Sequence, residues 1–340
     1  MDSMPLLSLF SGAGGLDLGF EEAGFSPMLA LDVDPITVQT YNYNRHSSDE
    51  ISKVADLSIT DPSTVIEWWE DKVGANIHPV GIIGGPPCQA FSASNVNKLS
   101  NDPRAKLPLS YAQILHLFNQ RYDIQFFAFE NVAGLAHHLH AQSLELFISE
   151  FEKAGFCVKK FFLDAVRFGV PQHRVRMFIV GFNSKRYRID EFAPPIGNDT
   201  VRTVRQAIGK LVEPLLFTRT MNPAELGLHP NHWCMNPRSK KFRNGALESK
   251  EILGRSFRVL PWDEPSWTVA YGHREVHVHP NGKRRLSVYE GMLLQGFPHR
   301  YELLGTLSDQ IRQVSDAVPP PVSKALATII RNFIAQHCLT

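Results

Sequence analysis

Short apolar runs alternate with segments of helical periodicity over about the first 185 residues. Residues 6–10 predict a strand, and residues 16–23 predict a helix because Leu16, Phe20 and Ala23 fall on one face. Such alternation predicts a parallel sheet covered on both faces, with ligands bound beyond the carboxyl ends of its strands. Further strands are predicted at 27–32, 80–83, 126–129 and 177–182, and a further helix at 35–43.

The pattern changes near residue 190, where repeated prolines predict little regular helix up to about residue 265. Regular patterning resumes near Leu286, where Ser287 and Glu290 have the spacing of a capping box. A final helix is predicted after the three prolines at 319–321. We therefore expect a large α/β domain, a small irregular domain, and a return segment that completes the first domain, over residues 1–188, 189–268 and 269–340 respectively.

Composition predicts an ordinary globular protein, with 43% hydrophobic and 20% charged residues. The net charge is +1, so nucleic-acid binding would depend on local basic clusters rather than on bulk charge. The four cysteines are scattered without a CxxC pair, so neither a metal site nor a redox dithiol is expected. With no apolar run long enough to span a membrane and no recognisable signal peptide, we expect no membrane association and a cytoplasmic protein.

A glycine-rich turn, Ser11-Gly12-Ala13-Gly14-Gly15, follows the first predicted strand. Glycines let a ligand approach the backbone, and the helix that follows offers unpaired N–H groups. The spacing is not GxGxxG, so a plain strand-to-helix connection is an equal alternative. Asp32 favours a cofactor loop, because an acidic side chain ending the second strand can accept hydrogen bonds from both ribose hydroxyls. Asp56 can similarly accept an adenine amino hydrogen.

Cys88 belongs to the loop Gly84-Gly85-Pro86-Pro87-Cys88-Gln89, which follows the strand predicted at 80–83. A nucleophilic thiol needs access and a lowered pKa, and two prolines hold the direction of this loop. Glycine, proline and glutamine are not core neighbours, so we interpret Cys88 as a nucleophile. Cys157 and Cys338 are interpreted as inert core residues.

Glu130 follows the strongly apolar run at 126–129, so burial would raise its pKa and let it donate a proton to a ring nitrogen. A salt-bridging or helix-capping glutamate is the alternative. Arg174 and Arg176 alternate along an extended segment and can converge on one anion or base edge. His173 would point the other way and is given no role.

Basic side chains are concentrated in the second half of the chain. Residues 232–258 carry seven positive side chains against two negative ones, and Lys283, Arg284 and Arg285 form a second basic run. Such clusters suit contacts with phosphates, whereas a solvated basic face is the ordinary alternative.

In motif order, and over nearly the whole chain, these segments resemble the DNA (cytosine-5-)-methyltransferase family, of the prokaryotic restriction-modification or orphan type. The glycine-rich turn resembles its first cofactor motif, and Pro86-Pro87-Cys88-Gln89 its catalytic loop. The segments Asp102-Pro103-Arg104, Glu130-Asn131-Val132 and Gln172-His173-Arg174-Val175-Arg176 resemble the motifs that follow, and Leu286-Ser287, Leu294-Gln295-Gly296-Phe297-Pro298 and residues 313–320 resemble the closing motifs.

The resemblance implies an α/β, Rossmann-like S-adenosylmethionine-dependent methyltransferase fold. It implies that residues 1–188 form the catalytic and cofactor-binding domain, that 189–268 form a small, irregular target-recognition domain, and that 269–340 complete the catalytic domain. It implies methyl transfer to C5 of a flipped-out cytosine in a short specific sequence of double-stranded DNA, through a covalent Cys88–C6 bond, with S-adenosylhomocysteine as product. The implied catalytic residues are Cys88, Glu130, Arg174 and Arg176. The implied cofactor contacts are Phe10, Ser11, Gly12, Ala13, Gly14, Gly15, Asp32, Val33, Asp56, Leu57, Pro86, Leu107 and Asp316, and the implied DNA contacts are Gln89, Ser92, Arg104, Arg238, Lys240, Lys241, Arg243, Arg255 and Arg258.

Double-stranded DNA is the implied partner, and a restriction endonuclease acting on the same site is a candidate second partner. The protein is expected to be monomeric and associated with the nucleoid of a prokaryote.

One motif departs from the family pattern. The family usually carries Gly-Asn-Ala-Val in its last motif, whereas this chain has Ser315-Asp316-Ala317-Val318. Asp316 keeps an acceptor oxygen, loses a donor and adds negative charge.

Three alternative functions stay open from the sequence. A C5-methyltransferase acting on tRNA shares most of the motifs, although the Cys-Phe-Thr tripeptide of that branch is missing. A nucleotide-dependent oxidoreductase would leave Cys88, Glu130 and the arginine pair unexplained. A non-catalytic DNA-binding member of the same fold is the third alternative.

Overall fold

The computed structural model describes residues 4–46, 49–87, 106–218, 228–237, 242, 258–268 and 277–337. The predicted site residues Cys88, Gln89, Ser92, Arg104, Arg238, Lys240, Lys241, Arg243 and Arg255 lie outside the described residues. The described strands are β1 (Met4–Leu9), β2 (Phe25–Asp32), β3 (Ser52–Val54), β4 (Gly81–Gly84), β5 (Phe126–Val132), β6 (Phe156–Asp164), β7 (Val175–Asn183), β8 (Leu215–Leu216) and β9 (Trp233–Cys234). The described α-helices are α1 (Gly15–Glu22), α2 (Pro35–Tyr43), α3 (Pro62–Val73), α4 (Leu107–Tyr122), α5 (Ala141–Lys153), α6 (Val204–Ile208), α7 (Val288–Leu294), α8 (Leu307–Asp316) and α9 (Pro320–Gln336).

The first seven strands form one sheet in the order β3-β2-β1-β4-β5-β7-β6. Strands β1 to β5 pair in parallel, as the sequence predicts, but β7 runs antiparallel to both β5 and β6. The prediction of a wholly parallel sheet is therefore wrong at this edge. Residues 165–174 connect β6 to β7 without a crossover helix, and a connection of that kind leads to an antiparallel neighbour.

Both faces of the sheet are covered, because successive side chains of a strand point to opposite faces. On one face, Leu7 and Phe127 pack in a cluster with the buried side chains of α3, α4 and α5. On the other, Leu6 and Phe126 pack with α1 and α9. Gly19 permits the close contact of α1 and α9, since a Cβ there would lie 2.0 Å from Ser323 Oγ.

The return segment forms the elements that the sequence predicts. Ser287 caps α7, and the capping box is confirmed: the Glu290 N–H donates to Ser287 Oγ at 3.0 Å and the Ser287 N–H donates to Glu290 Oε2 at 2.7 Å. A third cluster packs α7 and α8 with α6. Among the described residues, no helix is long and apolar enough to cross a membrane.

Candidate active site and cofactor cavity

A cavity of about 340 Å³ opens at the edge of the sheet where β1, β2, β4 and β5 end. The segments that follow these strands line it, as expected for a parallel sheet. The return segment closes the opposite side. The lining includes Phe10, Ser11, Gly12, Ala13, Gly15, Asp32, Val33, Asp56, Leu57, Pro86, Leu107, Glu130, Arg174, Arg176 and Asp316, all of which the sequence singles out.

The glycine-rich turn is held against the end of β2. Gly12 has a φ of +55° and donates its N–H to Asp32 Oδ2 at 2.9 Å. Gly14 has a φ of +80° and forms the N-terminal cap of α1. Gly14 faces away from the cavity, because a Cβ there would lie 2.9 Å from the guanidinium of Arg45. The turn thus presents Ser11 to Ala13 and Gly15 to the cavity, while Gly14 sets its direction.

Asp32 is the carboxylate at the carboxyl end of β2. Its Oδ1 accepts the Asp34 N–H at 3.0 Å, while its Oδ2 accepts the Gly12 N–H. Burial raises the pKa of Asp32, and those two backbone hydrogen bonds oppose the rise. Each carboxylate oxygen has a second lone pair, so both oxygens remain able to accept from the hydroxyls of a ligand.

The part of the cavity that lies beside the ends of β2 and β3 is more apolar. Val33 is 57% exposed, although it is a large hydrophobic side chain, and it lines the cavity with Leu57. Asp56 lies beside them, with Oδ1 accepting from the N–H and hydroxyl of Ser58. A flat apolar ring with polar edges suits this part of the cavity.

Glu130 lies at the other end of the cavity and forms an ion pair with Arg176. Arg176 Nε lies 3.1 Å from Glu130 Oε1. Glu130 is only 8% exposed. Burial raises the pKa of Glu130, Arg176 and Arg174 oppose the rise, and the charge of Asp316 adds to it. Glu130 therefore forms the salt bridge of the alternative interpretation, and it is also buried, as the proton-donor interpretation requires.

The antiparallel direction of β7 explains how the arginine pair reaches this end of the cavity. Because β7 runs opposite to β5, its first residues lie beside the last residues of β5, and Arg176 pairs with Val132 in the sheet. Arg174 and Arg176 both line the cavity, and their convergence on one anion or base edge stays a prediction. Arg174 is buried, and its Nη2 donates to the Ser315 carbonyl at 2.6 Å, which ties the end of α8 to the site.

Several residues of the site have no individual role assigned from the sequence. Asn131 Nδ2 donates to the Pro86 carbonyl at 3.2 Å and holds the segment that leads to Cys88. Arg312 forms an ion pair with Asp34 where both line the cavity. Tyr301 donates its hydroxyl hydrogen to the Ala13 carbonyl. These contacts join segments far apart in the chain, so no local sequence motif predicts them.

Two predictions about basic side chains, for Arg258 and Arg284, can be compared with the described residues. Arg258 lies over the ring of Trp267, 5.7 Å from its centre. The interpretation of Arg284 as part of a phosphate-binding run is wrong, because Arg284 is buried. It pairs with Glu290 at 2.9 Å and with Glu213 at 2.6 Å. In the part of the chain that the structure describes, no group of three or more His, Cys, Asp or Glu side chains is arranged to hold a metal ion.

Comparison with known proteins extends over nearly the whole chain. The family of C-5 cytosine-specific DNA methylases matches residues 4–332. The type II methyltransferase M.FnuDI of Fusobacterium nucleatum is 34% identical over 360 residues, which cover 98% of this chain and 96% of that protein. The type II methyltransferase M.MthTI of Methanothermobacter thermautotrophicus is 32% identical over 353 residues, covering 97% of this chain and 98% of that protein.

Solved structures agree in fold. A chain described as a DNA modification methyltransferase encoded within a prophage (E. coli) superposes with a TM-score of 0.75 at 21% identity, covering 98% of this chain and 100% of that one. The S. pombe Dnmt2 methyltransferase superposes with a TM-score of 0.63 at 16% identity, covering 98% and 99%. The fold and the family match together show that the chain belongs to the C-5 cytosine-specific DNA methylases and is a DNA (cytosine-5-)-methyltransferase.

Proposed function

We propose that the protein transfers a methyl group from S-adenosylmethionine to C5 of a cytosine flipped out of a short specific sequence in double-stranded DNA. The transfer would proceed through a covalent bond between Cys88 and C6 of the base. The observation that carries this proposal is a single cavity with Asp32 at one end and the Glu130–Arg176 pair at the other. A methyl donor and a base acceptor can therefore lie side by side.

The residues of the cavity fit S-adenosylmethionine. Asp32 would accept from the ribose hydroxyls, and Val33, Asp56 and Leu57 would surround the adenine. The glycine-rich turn would let the cofactor approach the backbone closely. The cavity volume of about 340 Å³ is within the range of small-molecule sites. When bound, the cofactor supplies an electrophilic methyl group.

The chemistry of the base would depend on Cys88 and Glu130. Cytosine C5 is a weak nucleophile, so the Cys88 thiolate adds to C6 while protonated Glu130 donates to N3. The electron density that accumulates in the ring then makes C5 nucleophilic enough to take the methyl group. A solvent base then takes the C5 proton, and the electron pair of the C5–H bond expels the Cys88 thiolate from C6. N3 returns its proton to Glu130, and the aromatic ring is restored. Arg176 would hold the carboxyl of Glu130 and the edge of the base.

The position of Glu130 supports the proposed base flipping. A carboxyl that is only 8% exposed at the end of a strand cannot reach N3 of a base stacked in a duplex. Extruding the base costs a few kcal/mol, which contacts with the flipped base and the DNA backbone would offset.

The covalent step is tested with duplex DNA that contains 5-fluorocytosine. Fluorine cannot leave as a proton does, so we expect an adduct that survives denaturing electrophoresis. Cys88→Ser should form no adduct. The matched control is Cys157→Ser, since Cys157 lies on β6 with its Sγ 3.2 Å from the Phe182 carbonyl. Normal methylation by Cys88→Ser would overturn the mechanism.

We also propose that residues 189–268 recognise the DNA sequence and that the enzyme is a monomer in the cytoplasm. The names of the type II relatives support a restriction endonuclease that acts on the same sequence. Bisulfite sequencing of DNA from cells that express the protein should show one methylated sequence context. Transfer of labelled methyl groups to tRNA instead of duplex DNA would contradict the proposed substrate.

A further inference from the structure

Among the residues that the structure describes, the cavity lining carries more negative than positive side chains. Arg312 is paired with Asp34, Arg176 is paired with Glu130, and Arg174 donates to a backbone carbonyl. The remaining carboxylates leave the cavity with a surplus of negative charge when all are ionised. The ionisable side chains of the described lining are Asp32, Asp34, Asp56, Glu130 and Asp316 against Arg174, Arg176 and Arg312.

Asp316, the last residue of α8, is the carboxylate that the return segment contributes. Asp316 is an exposed residue that lines the cavity. Partial removal of its carboxyl from water raises its pKa, while Arg174 and Arg312 oppose the rise. Among the described residues, the hydrogen bond to its carboxylate comes from the Ser315 hydroxyl, at 3.4 Å. The carboxylate therefore keeps most of its acceptor capacity for a ligand.

Asp316 lies within electrostatic reach of both ends of the cavity. Beyond the effect of burial, its charge raises the pKa of Asp32 at one end and the pKa of Glu130 at the other. A methyl donor must place its reactive centre between the ribose end and the base end, because the methyl group passes from one ligand to the other. Asp316 lines the same cavity, so its charge acts on the region where that centre would lie.

The methyl donor and the product differ in charge in this region. S-adenosylmethionine carries a positive sulfonium, whereas S-adenosylhomocysteine carries a neutral thioether. A nearby carboxylate attracts the sulfonium and has no comparable interaction with the thioether. We propose that Asp316 is a specificity-determining residue, which favours the charged methyl donor over its uncharged product and so promotes product exchange. The proposal rests on the use of S-adenosylmethionine proposed above.

Calorimetric binding without DNA tests this inference. The ligands are S-adenosylmethionine, S-adenosylhomocysteine and sinefungin, which carries an ammonium group in place of the sulfonium. We expect Asp316→Asn to weaken the two charged ligands about fivefold and to change the product by less than about twofold. Asp316→Ser repeats the measurement with a second neutral side chain. Asp71→Asn removes an exposed charge from α3, outside the cavity, and should change none of the three affinities.

The outcomes separate this inference from the proposed function. If the wild-type protein binds none of the three ligands, the proposed cofactor is wrong. If it binds all three and both Asp316 variants weaken them equally, Asp316 interacts with a part that the ligands share and the inference fails. It fails as well if both variants leave all three affinities unchanged. Circular dichroism spectra of the variants, matched to wild type, confirm that the compared proteins are folded.

Discussion

The two sides of the cavity are built in different ways. On the sheet side, the functional groups lie at the carboxyl ends of strands. Asp32 and Glu130 reach the same edge because β2 and β5 run parallel in a common sheet. On the other side, Tyr301, Arg312 and Asp316 come from the return segment. Tyr301 contacts Ala13 across 288 positions of the chain. The functional groups of the sheet side are thus placed by the strands to which they belong. Those of the opposite side are placed by the packing of the return segment against distant parts of the chain.

The largest effect is expected on the sheet side, from Glu130→Gln. The amide cannot donate a full proton to N3, and general acid catalysis of this kind contributes about 10² to 10⁴ in rate. We expect kcat to fall at least a hundredfold on this basis, while calorimetry shows nearly unchanged cofactor affinity. Glu145→Gln, on the exposed face of α5, is the matched control. Full activity of Glu130→Gln would contradict the proton-donor role.

A smaller loss is expected from Gly85→Ala. A Cβ at Gly85 would lie 2.7 Å from Glu130 Oε2, so the carboxyl must shift from the position in which it pairs with Arg176. Because misplacing a catalytic group by about 1 Å can cost up to about a hundredfold in rate, we expect kcat to fall about tenfold. Steady-state kinetics measure the loss, and thermal unfolding checks that the variant remains folded. An unchanged kcat would mean that the position of the carboxyl is not critical.

On the docked side, Tyr301→Phe removes the hydrogen bond to the Ala13 carbonyl. Tyr301 is buried, so the carbonyl is left without this donor, and such a loss costs about 1–3 kcal/mol. We expect a lower free energy of unfolding in urea and weaker cofactor binding, because Ala13 belongs to the glycine-rich turn. Tyr43→Phe removes the hydrogen bond of an exposed tyrosine to Glu302 and should have a smaller effect. If the two changes lowered the free energy of unfolding and the cofactor affinity equally, the hydrogen bond of Tyr301 would have no special role in holding the glycine-rich turn.

The smallest effect is expected from Asp316→Asn, which alters the pH profile of kcat because the charge of Asp316, on the return segment, acts on Glu130, on the sheet side. Burial raises the pKa of Glu130, so its active, protonated form is lost as the pH rises through that value. Asp316 raises the pKa of Glu130 further, and Asp316→Asn should therefore move the alkaline limb of the kcat profile to lower pH. Arg176 and Arg174, which face Glu130 from β7, oppose the rise and remain in the variant. A shift to higher pH would contradict this coupling.

Much of the sheet side could be predicted from local patterns. The bounds of α2 are as predicted, because Asp34 caps the helix and Pro35 occupies its first turn. Strand β6 was missed, since its exposed and half-buried lysines conceal the alternation of an edge strand. The burial of Arg284 could not be predicted, because its partner Glu213 is distant in the chain.

The sequence by itself determined the order of strands and helices, the caps of several helices, and which chemical groups follow which strands. These properties depend on contacts between near neighbours, which periodicity and capping residues record. Only the tertiary structure decided the direction of β7, the pairing of Arg176 with Glu130, and the contribution of the return segment to the cavity. Hydrophobic periodicity specifies which face of an element is buried, but not against which distant segment or in which direction it packs.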